Sequence, residues 1–257
     1  MSIYPYIPPM VAMFTVSLVP RISRETGWRH PRILQSVLLF LLLATFAAAG
    51  SSQSSRDILA RVSATTARRH AVEYAGERTY AIQNTRFHKT ATVQVRVSFQ
   101  PEVGKTFTIL DHSGSPKLVE IVQKLLASEA DSSRPARRGQ YEIGPDNYDA
   151  EIRGQEAVEG RTCYVLNLTP KNRSKYLISG TVWVDKDTYG IVRLEGTTSS
   201  NVSYWVGSPH IVEHFAPVEG IWLPRRTKSV SSTMLLGESE LQINYTGYHV
   251  RPASPIP

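Results

Sequence analysis

Apolar and polar residues alternate through most of the chain between Tyr148 and Gly196. The alternation is clearest at 163–168, 181–184 and 191–195, and turn-forming residues separate these runs. Period-two alternation between turns is typical of antiparallel β-strands with one buried face. In all, the pattern predicts about a dozen strands, near residues 74–84, 92–99, 105–110, 148–156, 162–169, 177–185, 190–199, 202–206, 210–217, 221–223, 225–235 and 238–248.

Two segments have helical spacing instead. A first helix is predicted over 57–71, and a second begins after the N-cap residue Ser115, with Pro116 at its first position. A sheet of about a dozen strands cannot stay flat. The predicted fold is therefore mainly β: a curved antiparallel sheet that forms an incomplete barrel, with one or two helices as a lid.

The strands between 162 and 196 have mutually consistent faces. One face carries Trp183, Arg193 and Glu195, so it should meet water, and the aliphatic face should form the interior. This interior is either a filled core or a ligand-holding cavity, and both alternatives remain open. The residues predicted to line such a cavity are Val95, Val97, Phe99, Tyr164, Leu166, Leu168, Val182, Val184, Val192, Leu194, Leu241 and Ile243.

The second helix is the candidate lid. Its predicted apolar stripe consists of Leu118, Ile121, Val122 and Leu125. The polar segment 130–147 that follows is expected to be a mobile loop. Its arginines Arg134, Arg137 and Arg138 are candidates for contact with anionic head groups and for the hinge of the lid, although loop arginines are also often merely solvated.

The N-terminus has the order of regions found in a secretory signal peptide. Arg29 and Arg32 precede an apolar run that starts at Val37, and the small residues Ala47 and Ala49 end it. The predicted organisation is a signal peptide at 1–49, a linker at 50–56, one domain at 57–250 and a loose tail at 251–257. An uncleaved signal anchor is the alternative, and either one predicts an exported, periplasmic or envelope-associated protein.

Candidate chemistry is sparse, so no enzyme activity, cofactor, metal or nucleic-acid partner is expected. The single cysteine, Cys163, is expected to be a structural thiol in a strand. The segment His210–His214 matches the H-x-x-E-H zinc-peptidase pattern, which requires a helix. On the predicted strand, the two histidines would lie about 13 Å apart, too far for one zinc ion.

Several motifs together resemble the periplasmic lipoprotein carriers of the LolA/LolB-like superfamily and the related MucB/RseB-type sensor domain. They are Gly160-Arg161, L-x-L-x-P at 166–170, G-x-x-W-V-D at 180–185, Ile191-Val192-Arg193 and F-x-x-V-x-G-x-W-x-P at 215–224. The resemblance covers roughly residues 55–250. It implies a half-barrel whose concave apolar face holds acyl chains under helices, with no catalytic residues.

Three functions remain as hypotheses. The first is an exported, monomeric carrier or chaperone that binds lipid or the acyl chains of an acylated protein. The second is an envelope stress or assembly sensor that binds a partner protein, which could be a membrane protein. The third is an exported hydrolase.

Overall fold

The computed structural model describes residues 53–202, 207–233 and 237–252. The predicted signal peptide lies outside these residues. The helices are α1 (Ser55–His70), α2 (Pro116–Ser132) and α3 (Pro135–Arg138). The strands are β1 (Val72–Asn84), β2 (Lys89–Gln100), β3 (Gly104–Gly114), β4 (Tyr148–Val158), β5 (Arg161–Pro170), β6 (Ile178–Asp185), β7 (Ile191–Thr198), β8 (His210–Val218), β9 (Ile221–Thr233) and β10 (Gly237–Pro252). No helix in the described ranges is long and apolar enough to cross a membrane.

All of these strands form one antiparallel sheet, in the order β3-β2-β1-β10-β9-β8-β7-β6-β5-β4. The sheet is open, because β3 and β4 do not pair with each other within the described residues. The mainly β fold class is thus confirmed. The segments predicted as two strands at 221–223 and 225–235 form the single strand β9, and residues 203–206 of the predicted strand at 202–206 lie outside the described residues.

The chain changes edges of the sheet only once. It runs through β1, β2 and β3 to one edge, crosses to the opposite edge at β4, and then returns strand by strand to β10, which pairs with β1. The crossing contains α2 and α3. Together with α1, it places helices against one face of the sheet, which we call the inner face.

Alternation explains why that face is buried. In β2, the even spacing of Val93, Val95, Val97 and Phe99 makes all four side chains point to the inner face, and each is at most 2% exposed. The residues between them, such as Gln94 and Arg96, lie on the outer face. The strand prediction for 92–99 is confirmed here.

Helix α1 covers the half of the inner face formed by β4–β9. Ser54 and Asp57 form a capping box at its start, with the Ser54 hydroxyl accepting from the Asp57 backbone at 3.1 Å. Its buried face is the one predicted: Ile58, Leu59 and Val62. These residues pack into a cluster with Leu166, Leu168, Val182, Val184, Val192 and Leu194.

Helix α2 covers the other half, and its orientation corrects the predicted stripe. The buried residues are Leu118, Val119, Val122 and Leu126, whereas Ile121 is 41% exposed and Leu125 is only partly buried. The reason is apolar packing: Val119 and Leu126 join Leu118 and Val122 in one cluster with side chains of β1 and β2, so the helix is rotated about its axis relative to the predicted stripe. Glu129 also faces the sheet and reaches charged partners there.

The segment 130–147 is not the predicted mobile loop. Helix α2 continues to Ser132, and the short α3 contains two of the candidate head-group arginines. Arg138 donates to the Pro101 carbonyl at 2.9 Å, and Asn147 donates to the carbonyls of Gly139 and Glu142. Hydrogen bonds therefore hold the crossing to the sheet and to itself. This is inconsistent with a free hinge at Arg134–Arg138.

Candidate binding cavity

A cavity of about 290 Å³ lies between the two helices, over the middle of the inner face. The C-terminal turns of α1 and α2 form its sides, and the segment after α3 forms its rim. Its floor comes from strands on both sides of the β1–β10 pair. The cavity thus occupies the gap between the two packed clusters that α1 and α2 cover.

One wall of the cavity is apolar. It is formed by side chains from β4, β6, β7 and β8: Tyr148, Ile178, Ile191, Leu194 and Phe215. Tyr148 is itself held in place, because its hydroxyl accepts from the Ile178 backbone at 3.0 Å. This wall offers a surface for hydrocarbon.

The opposite wall contains Glu129 and Lys105, which form an ion-pair network with Arg78, a buried residue outside the cavity lining. Glu129 of α2 accepts from Arg78 of β1 at 2.8 Å and from Lys105 of β3 at 2.6 Å. Arg78 is only 2% exposed, and its guanidinium also stacks on the rings of Phe107 and Tyr245. Burial by itself would raise the pKa of Glu129, but the two cations outweigh it and hold that pKa well below its ordinary value.

A second carboxyl, Glu213 of β8, lies on the cavity floor. It accepts from the Thr227 hydroxyl at 3.2 Å, and Thr227 lies 3.0 Å from the hydroxyl of Tyr245. Burial raises the pKa of Glu213, although the charge of Lys105 and the Thr227 hydrogen bond act in the opposite direction. Burial likewise raises the pKa of Tyr245.

The rim is polar and aromatic. His70 pairs with Glu142 at 2.9 Å, and burial lowers the pKa of His70 despite this pair. Tyr141 and Tyr176 meet with ring centroids 4.5 Å apart, and the Tyr176 hydroxyl is 2.8 Å from that of Ser128 on α2. Together these contacts connect both helices to the loops around the cavity.

The predicted cavity residues divide between this cavity and the packed core. Phe99 and Leu194 line the cavity. The other ten lie outside its lining: Val95, Val97, Tyr164, Leu166, Leu168, Val182, Val184, Val192, Leu241 and Ile243. The sequence left open whether the aliphatic interior is filled, and the structure fills most of it with the helices.

The candidate head-group arginines are also separated. Arg138 lines the cavity and lies 5.9 Å from the centre of the Phe99 ring. Arg137 pairs instead with Asp131, and Arg134 is exposed and does not line the cavity. Of the three, only Arg138 is placed to meet a ligand in the cavity.

Sequence analysis missed the polar part of the cavity and the buried arginine that pairs with it. Arg78, Lys105, Glu129, Glu213 and Tyr245 were not among the candidates. A clue existed in β1, where Arg78 shares the buried phase with Tyr74, Tyr80 and Ile82. A charged residue in an apolar phase usually has a buried partner.

The His210–His214 segment and Cys163, which were considered as possible chemical sites, both have structural explanations. The segment His210–His214 lies in β8, as predicted, and Glu213 points inward while His214 on the outer face contacts Glu159 at 3.0 Å. The absence of zinc there stays a prediction. Cys163 is fully buried, and this burial raises its pKa to about 11, as expected for an unreactive thiol.

Comparisons with known proteins give the following similarities. A family model described as an uncharacterized protein matches residues 142–248. No curated protein sequence matches the chain. A LolA superfamily protein from Nitrosomonas europaea is 11% identical, with a TM-score of 0.42 over 76% of this chain and 94% of that chain.

Two further solved structures represent other groups. A DUF1329 family protein from Desulfovibrio piger is 16% identical, with a TM-score of 0.36 over 77% of this chain and 95% of that chain. The MucA/MucB complex from Pseudomonas aeruginosa includes a chain that is 11% identical, with a TM-score of 0.25 over 76% of this chain and 98% of that chain. The matched structures thus include the two groups that the sequence motifs resemble, the LolA superfamily and MucB.

Proposed function

We propose that this protein is an exported binding protein that takes up the hydrocarbon part of an amphipathic ligand, such as a lipid or an acylated protein, without changing it chemically. The observation that carries the proposal is the cavity between α1 and α2, which has an apolar wall opposite a charged one. The hydrocarbon of an amphipathic ligand can contact the apolar wall while its polar end contacts the charged wall. The family resemblance of the sequence motifs is consistent with this.

The size of the cavity limits the proposal. Its volume of about 290 Å³ is near the lower end of the roughly 300–1,000 Å³ typical of small-molecule sites. It therefore accepts a short chain or the end of a longer one as it stands. Each buried methylene contributes about 0.8 kcal/mol, so a chain of eight carbons gains roughly 6 kcal/mol before the costs of ordering it.

The test is binding of an uncharged apolar reporter. We expect N-phenyl-1-naphthylamine to fluoresce on binding the wild-type protein and organic extracts of the purified protein to contain lipid. Ile178→Trp, which fills the apolar wall, should weaken binding at least tenfold. The matched control Ile152→Trp changes an isoleucine that is 39% exposed on β4, outside the cavity lining, and should leave binding unchanged.

Two results would contradict the proposal: no binding of the reporter together with no extractable lipid, or equal loss of binding in both variants.

Export is tested separately. We propose cleavage after Ala49, so N-terminal sequencing of the protein from an exporting host should begin at Gly50. An intact N-terminus in the membrane fraction would favour the signal anchor.

Partner binding is a second candidate, supported by the exposed edge strand β4. Residues 151–157 of β4 are exposed and, among the described residues, pair only with β5, which leaves backbone groups for an added strand. Capture of a specific protein by lipid-free wild-type protein would favour this candidate, provided that Gly154→Pro in β4 abolishes the capture.

A further inference from the structure

Glu213 has an unused hydrogen-bonding position in the cavity, and this position indicates which ligands the cavity takes. The inference rests on the proposed function, because it concerns the polar end of the same ligand. Its starting point is a chain of three side chains on the floor, Tyr245, Thr227 and Glu213.

When Glu213 is ionised, the hydrogen bonds of this chain can have only one direction. The Thr227 hydroxyl has a single proton, which it donates to Oε1 of Glu213 at 3.2 Å. The Tyr245 hydroxyl, 3.0 Å from Thr227, must then donate to the Thr227 oxygen. Both donors are therefore directed toward Glu213, and the chain ends on a carboxyl oxygen as its final acceptor.

The other carboxyl oxygen of Glu213 is not used. Oε2 has no hydrogen-bond partner among the residues that the structure describes, and Glu213 lines the cavity. The nearby Lys105 donates to Glu129 at 2.6 Å and makes no hydrogen bond to Glu213. Glu213 is partly exposed to the cavity, so a ligand that donates to Oε2 gains a hydrogen bond to a charged group there.

The surroundings of Glu213 give the orientation of the ligand. Leu194 of β7 is its direct cross-strand neighbour, and Phe215 follows two residues later on the same face. A group bound to Oε2 therefore begins where the apolar wall begins. Hydrocarbon attached to that group lies along Leu194 and Phe215 toward Ile178.

We propose that Glu213 selects amphiphiles whose polar end donates a hydrogen bond and carries no negative charge, such as a primary ammonium or a hydroxyl group. A carboxylate at the same place would meet a carboxyl oxygen that accepts but has no donor to offer. A hydrogen bond to a charged group contributes about 1.5–3 kcal/mol, so discrimination of roughly tenfold or more is expected.

The experiment uses three probes with the same eight-carbon chain: octylammonium, octan-1-ol and octanoate, each displacing N-phenyl-1-naphthylamine at pH 7. The wild-type protein should bind octylammonium at least tenfold more tightly than octanoate, with octan-1-ol between them. In Glu213→Gln, Oε1 still accepts from Thr227, but a donor replaces the free acceptor. The ratio of the two affinities should therefore fall to one or invert.

The control variant is Glu195→Gln, which removes a carboxyl that pairs with Arg193 outside the cavity lining. It should keep the wild-type order of affinities. An unchanged order in Glu213→Gln, or a wild-type preference for octanoate, would overturn the inference while leaving the proposed function intact. If the wild-type protein binds neither the reporter nor any of the probes, the proposed function fails and the inference fails with it.

Discussion

Arg78 shows how one residue connects the two layers of the molecule. It lies on β1 at the centre of the sheet, yet it binds Glu129 on the helix above. A buried charge without a partner is strongly destabilising, whereas a buried pair is often no better than apolar residues of the same size. The contribution of Arg78 thus depends on whether Glu129 is present.

A double-mutant cycle should show this dependence. We expect Arg78→Met to lower the free energy of unfolding by about 3 kcal/mol, because it leaves Glu129 with Lys105 alone. Glu129→Gln should cost a similar amount, since it leaves Arg78 buried. The double variant should lose clearly less than the sum of the two, as measured by urea denaturation. Strict additivity would mean that the pair is not coupled.

The same network predicts a pH dependence. Because the folded-state pKa of Glu129 is depressed, the stability it provides is present above its unfolded pKa of about 4.5 and is lost as the pH falls below that. The melting temperature of the wild-type protein should therefore decrease below about pH 4.5. Glu129→Gln should show a smaller decrease over the same range, and a parallel decrease would argue that other carboxyls dominate.

At the scale of elements, the rotation of α2 is the clearest difference from the sequence-based stripe. Val122 is fully buried, whereas its neighbour Ile121 is 41% exposed. We expect Val122→Asp to cost about 3 kcal/mol or more, because it buries an unpaired charge. Ile121→Asp should change the free energy of unfolding by less than about 0.5 kcal/mol. If Ile121→Asp were the more destabilising of the two variants, the predicted stripe would be the buried face of α2.

The pairing of β6 with β7 depends on two glycines that lie opposite each other. A Cβ at Gly180 would lie 2.1 Å from the Glu195 carbonyl oxygen, which is backbone and cannot move aside easily. Gly180→Ala should therefore lower the free energy of unfolding by about 1–3 kcal/mol. Gly139→Ala is the control, since its φ is −60° and nothing lies within 4 Å of an added Cβ. Equal melting temperatures for the two variants would contradict the close contact between Gly180 and the Glu195 backbone.

The elements that the sequence predicted well are those whose pattern is local. The alternation in β2 and the stripe at Ile58, Leu59 and Val62 each lie within one element, and both are confirmed. The cavity is different because it depends on which faces of distant elements meet. Lys105 and Glu129 look like ordinary surface charges in the sequence, and only the packing of α2 against β3 brings them together.

At the scale of the whole molecule, the fold depends on the contact between β1 and β10. This pair joins the β1–β3 meander to the β4–β10 meander in the middle of the sheet. The meanders are also connected by the crossing that contains α2 and by the packing of Tyr74 and Phe99 against Leu223 of β9. The sheet itself is continuous only through the β1–β10 pair.

A truncated chain tests this dependence. A protein that ends at Thr233, before β10, should lose the cooperative thermal transition seen by circular dichroism, because its two meanders no longer share a sheet. The expected loss exceeds the roughly 5–15 kcal/mol of stability of a typical domain. A chain that ends at Pro252 should unfold like the full-length protein. A sharp transition in the shorter chain would show that one meander folds alone.

The pairing of β1 with β10 also determines when folding can finish. The innermost strands come from opposite ends of the folded unit, so the largest loop must close before the sheet is complete, and such non-local pairing is slow. Until β10 has been synthesised, the edge of β1 stays unpaired while carrying Tyr74, Tyr80 and Ile82 in its apolar phase. An unpaired apolar edge is a template for aggregation. The nascent chain is therefore most vulnerable just before its last strand emerges.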